Sequence, residues 1–170
     1  VVTRSLKKTI INRKIIKITV NNRNLRFKVP KSFECILKNK IVKNVKRKSK
    51  YIIFDFGNNL YVVLHLGMSG TVHLVENHKN SLVTNTSFYN SPLLPKKHNH
   101  VEIFFDNLKI VYNDPRRFGF FEIARDIKIL KERFSKLGPE PLQNEFNVKY
   151  VFSFFKGKKK NIKNFLLDQF

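Results

Sequence analysis

The chain has 170 residues, 42% of them hydrophobic and 17 of them Phe, and its 34 Lys and Arg outweigh 12 Asp and Glu to a net charge of +22. That is enough apolar material for one domain with a core, or one domain and part of another. A surface so charged is satisfied by nucleic acid ahead of anionic membrane or heparin-like chains, although a Lys-, Asn- and Ile-rich composition without Trp also fits an AT-rich genome. The single Cys35 excludes an intramolecular disulfide and a self-contained cysteine zinc site and fits a reducing cytoplasm. With no uninterrupted run of about 18 apolar residues and no signal-peptide pattern, neither a membrane span nor a secretory leader is expected.

Positive charge gathers toward the two ends: residues 1–50 hold 17 Lys and Arg against Glu34 alone, whereas 101–150 hold nine against eight acids. Residues 1–9 predict the end of a helix. "KIIKITVNN" (14–22) and "LRFKV" (25–29) predict strands around the turn-like "NNRN", and "SFECILKN" (32–39) a short helix. Past Ile41 the β-rich runs "YIIFDF", "LYVVLHL", "VEIFFD" and "LKIVYND" recur at strand length, with turn signals at Gly57-Asn58-Asn59 and Asp106-Asn107. That pattern predicts an antiparallel sandwich or barrel. The polar stretch from Glu76 to His98 has little periodicity and is long for a compact domain, so it is functional or mobile. After Ala124 the period becomes helical in "IKILKERFSKLG" and "YVFSFFKG". The expected class is α+β, mostly β: an antiparallel β-sandwich with flanking helices over 1–125, then a helical connector and the start of a helical domain over 126–170.

Four stretches carry more charge, glycine or aromatic area than plain connections need. "NDPRRFGFF" (113–121) crowds two guanidinium groups and an aromatic ring at an Asp-Pro bend, where Ser, Asn or Gly would serve. Its residues suit a base edge and a base stack; the alternative is a turn capped by Asp114, with Phe118 buried in the sandwich and the arginines solvated. "LHLGMSG" (64–70) ends an apolar strand in a turn whose glycines let backbone approach a ligand, with the lone Met68 either at a functional tip or filling a core gap. "KRKSKYIIF" (46–54) is a charge run leading into a strand and reads otherwise as a solvated face. "KKHNHVEI" (96–103) contributes His98 and His100, which without further convergent ligands do not make a zinc site.

Taken in order, and with "LGPEPL" (137–142) and "KKKNIKNFLLDQ" (158–169), these blocks resemble the formamidopyrimidine-DNA glycosylase family of bacterial base-excision repair enzymes over nearly the whole chain. The resemblance implies that Met68 enters the void left when a damaged nucleotide is turned out of the helix. By the same match His65 contacts phosphate, an inward-facing strand histidine being the alternative. Arg116 faces the orphaned base, Phe118 wedges beside it, and Arg117 supports the turn or meets a phosphate. Lys50 matches a family lysine that donates a proton in β-elimination and can hold a phosphate, and His98 and Lys158 match DNA-contact positions. The implied activity is excision of oxidised purines (8-oxoguanine, formamidopyrimidines) from double-stranded DNA, followed by nicking through β,δ-elimination. The implied setting is a monomer in the bacterial cytoplasm with the nucleoid and no membrane. Related oxidised-pyrimidine glycosylases share much of the scaffold, and the charge alone would favour a non-catalytic basic nucleic-acid-binding module.

The family's chemistry starts from an N-terminal Pro-Glu-Leu-Pro-Glu, whose proline amine is the nucleophile. Nothing in "VVTRSLKK" matches it. The expectation is therefore a fragment lacking both termini and inactive by itself, with no cofactor in this segment and one structural zinc in a C-terminal module beyond "LLDQF".

Overall fold

The computed structural model describes residues 1–76, 82–83, 96–159 and 161–167, so most of the polar stretch between Glu76 and His98 lies outside the described residues. The chain divides into two compact units, Val1–Asp126 and Ile127–Phe170. The first opens on helix α1 (Val2–Ile10), whose Leu6 and Ile10, one turn apart, are buried, while Lys7 and Lys8 occupy the last turn, where the helix dipole favours cations. Then follow β1 (Lys17–Val20), α2 (Phe33–Leu37), β2 (Asn44–Lys48), β3 (Tyr51–Asp55), β4 (Tyr61–His65) and β5 (Thr71–Glu76). The unit continues through β6 (Leu82–Val83), a 3-10 turn at Lys96–His98, β7 (Asn99–Phe104), β8 (Leu108–Asn113) and β9 (Phe120–Ala124).

The strands pair into two antiparallel sheets, one in the order β1-β7-β8-β5-β6 and the other β2-β3-β4-β9. Asn58 and Asn59, both at positive φ, close the β3–β4 hairpin, with the Leu60 N–H donating to the Gly57 carbonyl at 2.9 Å; this is the turn geometry that matches strand twist. Period-2 alternation in β3 turns Ile52 and Phe54 inward. They join Val62, Leu64 and Phe121 of their sheet, Ile18, Val72, Val101, Ile110 and Tyr112 of the other, and Leu6, Ile10, Phe33 and Leu37 of the helices in one apolar cluster. The mostly β, α+β sandwich expected from the sequence is what the chain forms.

Two expectations need correction. "KIIKITVNN" contributes only Lys17–Val20 as strand, and "LRFKV" forms none. In the latter segment the chain curls around Arg23: the N–H groups of Leu25 and Val29 both donate to the Arg23 carbonyl (3.0 and 2.9 Å). The Arg23 guanidinium in turn bonds the Pro30 carbonyl (2.7 Å) and pairs with Glu34. Local alternation is overridden because Leu25 and Val29 find burial without strand pairing. Conversely β2 carries three cations and one buried residue, Val45, and shows no apolar run by which to recognise it.

The second unit contains α3 (Ile127–Phe134), α4 (Val148–Phe155) and α5 (Ile162–Leu167). Asn147 caps α4 by accepting the Tyr150 N–H at 2.9 Å, and Phe154 and Phe155 pack on Phe165 of α5 at 5.4 and 4.9 Å between ring centroids.

Candidate nucleic-acid interface

β8 delivers Asp114 to the end of the first sheet, and Pro115 bars the strand from continuing. The Asp114 side chain is wholly buried and accepts four hydrogen bonds, three from two separate loops and one from β8 itself. Ser69 Oγ (2.5 Å) and the Arg116 N–H (3.2 Å) donate to Oδ1; the Tyr112 hydroxyl (2.9 Å) and the Gly119 N–H (3.0 Å) donate to Oδ2. Burial by itself pushes this carboxyl up, but the bonds from Ser69, Gly119, Tyr112 and Arg116 outweigh it and hold the group below the usual carboxylate range. Asp114 is thus a charged clamp between the 66–70 and 114–119 loops. Burial, reinforced by the Asp114 charge and hydrogen bond, pushes the Tyr112 hydroxyl far up, so it remains a donor.

Glycine allows the two loops to touch. Gly67 sits at φ +68°, and a Cβ there would lie 2.6 Å from the Phe118 carbonyl carbon and 2.7 Å from the Gly119 nitrogen. A Cβ on Gly119 would meet the Tyr112 hydroxyl at 1.9 Å and the His65 carbonyl at 2.5 Å. Both contacts are with groups that the clamp or a sheet holds in place, so neither can give way cheaply.

Met68, Arg116, Arg117 and Phe118 are among the exposed side chains of these locked loops. Met68 is 74% exposed and Phe118 42% exposed; Arg116 is exposed as well. These positions leave Met68 filling no core gap and Phe118 outside the sandwich. The Arg116 guanidinium lies 4.4 Å from the centroid of the Phe118 ring, and Arg117 between them takes φ +59°.

Sheet register brings further groups to the same end of the second sheet. Tyr51 pairs with His65 and His65 with Phe120, so Lys50, exposed immediately before Tyr51, enters beside His65. The half-buried His65 ring stacks on Phe120 (5.5 Å, 19°), and its Nδ1 accepts the Gly67 N–H at 3.1 Å. That places the ring proton on Nε2, the tautomer able to donate to a phosphate oxygen. His98 joins through its backbone: its carbonyl accepts the Asp114 N–H at 3.0 Å. Neither Lys50 nor Arg116 makes an ion pair among the described residues. Lys158 belongs to the second unit, where it is exposed after α4 and its N–H donates to the Phe155 carbonyl at 3.1 Å. Among the described residues no group of three or more His, Cys, Asp or Glu is placed to hold a metal ion.

Sequence reasoning marks Asp114 as a turn cap and misses that it also ties down the Met68 loop through Ser69. The Asp-Pro pair signals a bend; nothing local signals burial of the carboxylate or its second loop.

Residues 1–121 match the family model described as formamidopyrimidine-DNA glycosylase N-terminal domain. The chain is 37% identical over 169 residues to formamidopyrimidine-DNA glycosylase of Wolbachia pipientis subsp. Culex pipiens, covering 99% of this chain and 57% of the relative. To the Agrobacterium fabrum protein of the same name it is 32% identical, covering 99% and 58%. Among solved structures it is similar to Lactococcus lactis Fpg in complex with abasic-site DNA (TM-score 0.80, 28% identity, 99% of this chain and 58% of that one). The complex of the same enzyme with FAPY-dG DNA gives TM-score 0.81 at 27% identity, with the same coverage. The chain therefore spans a little over half the length of the relatives it matches.

Proposed function

The chain belongs to the formamidopyrimidine-DNA glycosylase family, and we propose that the protein excises oxidised purines from duplex DNA and nicks the strand, with these residues opening and reading the duplex. The observation that carries this is the Asp114 clamp, which locks two touching loops that expose Met68, Arg116 and Phe118, at the strand end where Lys50 precedes the Tyr51 that pairs with His65. An apolar Met68 tip fills the space of an everted nucleotide and offsets lost stacking. The planar Arg116 fork meets the hydrogen-bonding edge of the base left behind, and the Phe118 ring replaces its stacking neighbour. His65 Nε2 and the Lys50 ammonium hold phosphates beside the everted nucleotide, where Lys50 can also give up a proton during elimination. His98 and Lys158 add phosphate contacts. An amine attacking C1′ displaces the base and forms an imine; none of the residues assigned here supplies that amine.

Borohydride trapping on a duplex carrying 8-oxoguanine tests the assignment. The full gene product is expected to yield a covalent adduct and the 170-residue chain alone none. No adduct with the former sinks the activity, and an adduct with the latter sinks the division of labour. Faster trapping on an oxidised-pyrimidine duplex would overturn the purine preference.

A further inference from the structure

We propose that Phe27, with Arg26 and Lys28, is a second DNA-holding element, its ring stacking on the apolar face of a nucleotide beside the opened site while the two cations take flanking phosphates. The inference rests on the DNA-binding function assigned above. In the Val1–Asp126 unit only two described Phe rings are strongly exposed, Phe118 at 42% and Phe27 at 51%. They are neighbours through the backbone: the Arg26 N–H donates to the carbonyl of Gly119 at 3.1 Å, the residue whose own N–H the Asp114 clamp holds. The Phe27 ring meets Phe120 edge-on at 4.8 Å and 61°, and Phe120 in turn stacks on His65. Phe27 therefore ends an aromatic row that begins at a proposed phosphate ligand.

The ring is presented rigidly. Leu25 and Val29 on either side are buried, and both are bonded to the Arg23 carbonyl. Arg26 and Lys28 are exposed, and neither makes an ion pair among the described residues. The Arg26 guanidinium lies 5.8 Å from the centroid of the Phe27 ring, and an aromatic ring flanked by two exposed cations without ion pairs among the described residues suits a nucleotide, which offers an apolar base or sugar face between phosphates. Continuity with the clamped loops favours the bound duplex over a protein partner.

Because the chain contains no Trp, Phe27→Trp places a reporter at this position, read as the difference from the parent protein. With the full gene product and a duplex carrying 8-oxoguanine, its fluorescence is expected to be quenched on binding. Phe27→Ala is expected to weaken binding about 5- to 100-fold with an unchanged salt slope, while Arg26→Ala and Lys28→Ala each lower that slope by about one. Phe27→Leu, which keeps apolar contact with Phe120, is expected to retain the parent's melting temperature yet bind as poorly as Phe27→Ala. Phe27→Leu or Phe27→Ala binding like the parent, or an unquenched indole, overturns the inference. If the parent traps its imine normally while these variants are indifferent, only this element falls; if the parent neither binds nor traps, the function on which it rests falls too.

Discussion

The guanidinium of Arg116 is held 4.4 Å from the ring centroid of Phe118, across the left-handed Arg117. Two exposed side chains that would otherwise sample many rotamers are thereby paired before any ligand arrives, by an attraction of about 0.5–1 kcal/mol at an exposed site. The pairing lowers the entropy that the proposed DNA binding would have to remove. In the proposed role of Phe118, a base stack would partly replace it, because a ring inserted between bases gives its faces to them.

Removing either partner separates recognition from general attraction. Arg116→Ala is expected to lose about 1–3 kcal/mol of preference for the correct opposing base, and Phe118→Ala a comparable part of the preference for damaged over undamaged duplex. The salt dependence of binding should hardly move in either. Equal weakening on all duplexes would instead mark both residues as unspecific anchors; competition binding with matched damaged and undamaged duplexes decides.

Asp114→Asn keeps the shape of the clamp but turns one acceptor into a donor facing groups that already donate. An expected loss of about 2–4 kcal/mol follows from breaking a buried charged network. Tyr112→Phe, which removes one of the four donors, should lose only about 1–2 kcal/mol. Denaturant unfolding measures both, and an Asn variant no weaker than the Phe variant would show that Asp114 is not the centre of the network.

Gly67→Ala places a methyl against the Phe118 backbone and forces a left-handed φ on Ala. The combined strain and overpacking should destabilise by about 1–3 kcal/mol. Because relief requires the two loops to part, damaged-duplex preference should fall further than stability does. A variant that unfolds more easily but discriminates normally would contradict this coupling.

Acid should weaken the fold through His73. This β5 histidine is fully buried, its Nε2 lies 2.6 Å from Thr71 Oγ1, and its Nδ1 has no partner; burial pushes its pKa from 6.5 down to about 4. Above about pH 6.5 the ring is neutral in both folded and unfolded chains. As pH falls, the unfolded ring takes up a proton first, so stability drops progressively between about 6.5 and 4, by about 3 kcal/mol in all. His73→Gln should lose this slope. Parallel stability curves for parent and variant across that window would exclude the assignment.

Much of this architecture is legible in the residues themselves. The alternation in "YIIFDF", the Gly-Asn-Asn turn and the helical period after Ala124 act through neighbours along the chain, and each produces the local element it predicts. The residue types at Met68, Arg116 and Phe118 suit a base-facing role but equally allow a core Met, a buried Phe and a solvated Arg, so the sequence alone leaves both readings open. What only tertiary packing decided is which groups meet and which face water. In "RRFGFF" three Phe stand within four positions, yet Phe120 and Phe121 are buried while Phe118 is exposed. β9 pairs with β4 from Phe120 onward, which places Phe121 against Phe33 and Tyr112 in the core and Phe120 against Phe27 and His65. The left-handed turn at Arg117 leaves Phe118 outside the ladder. The same packing buried Asp114 beneath a loop 45 residues earlier in the chain and bent 25–29 away from a strand. Burial and long-range hydrogen bonds are properties of surfaces brought together by the fold, and no window of neighbouring residues contains them.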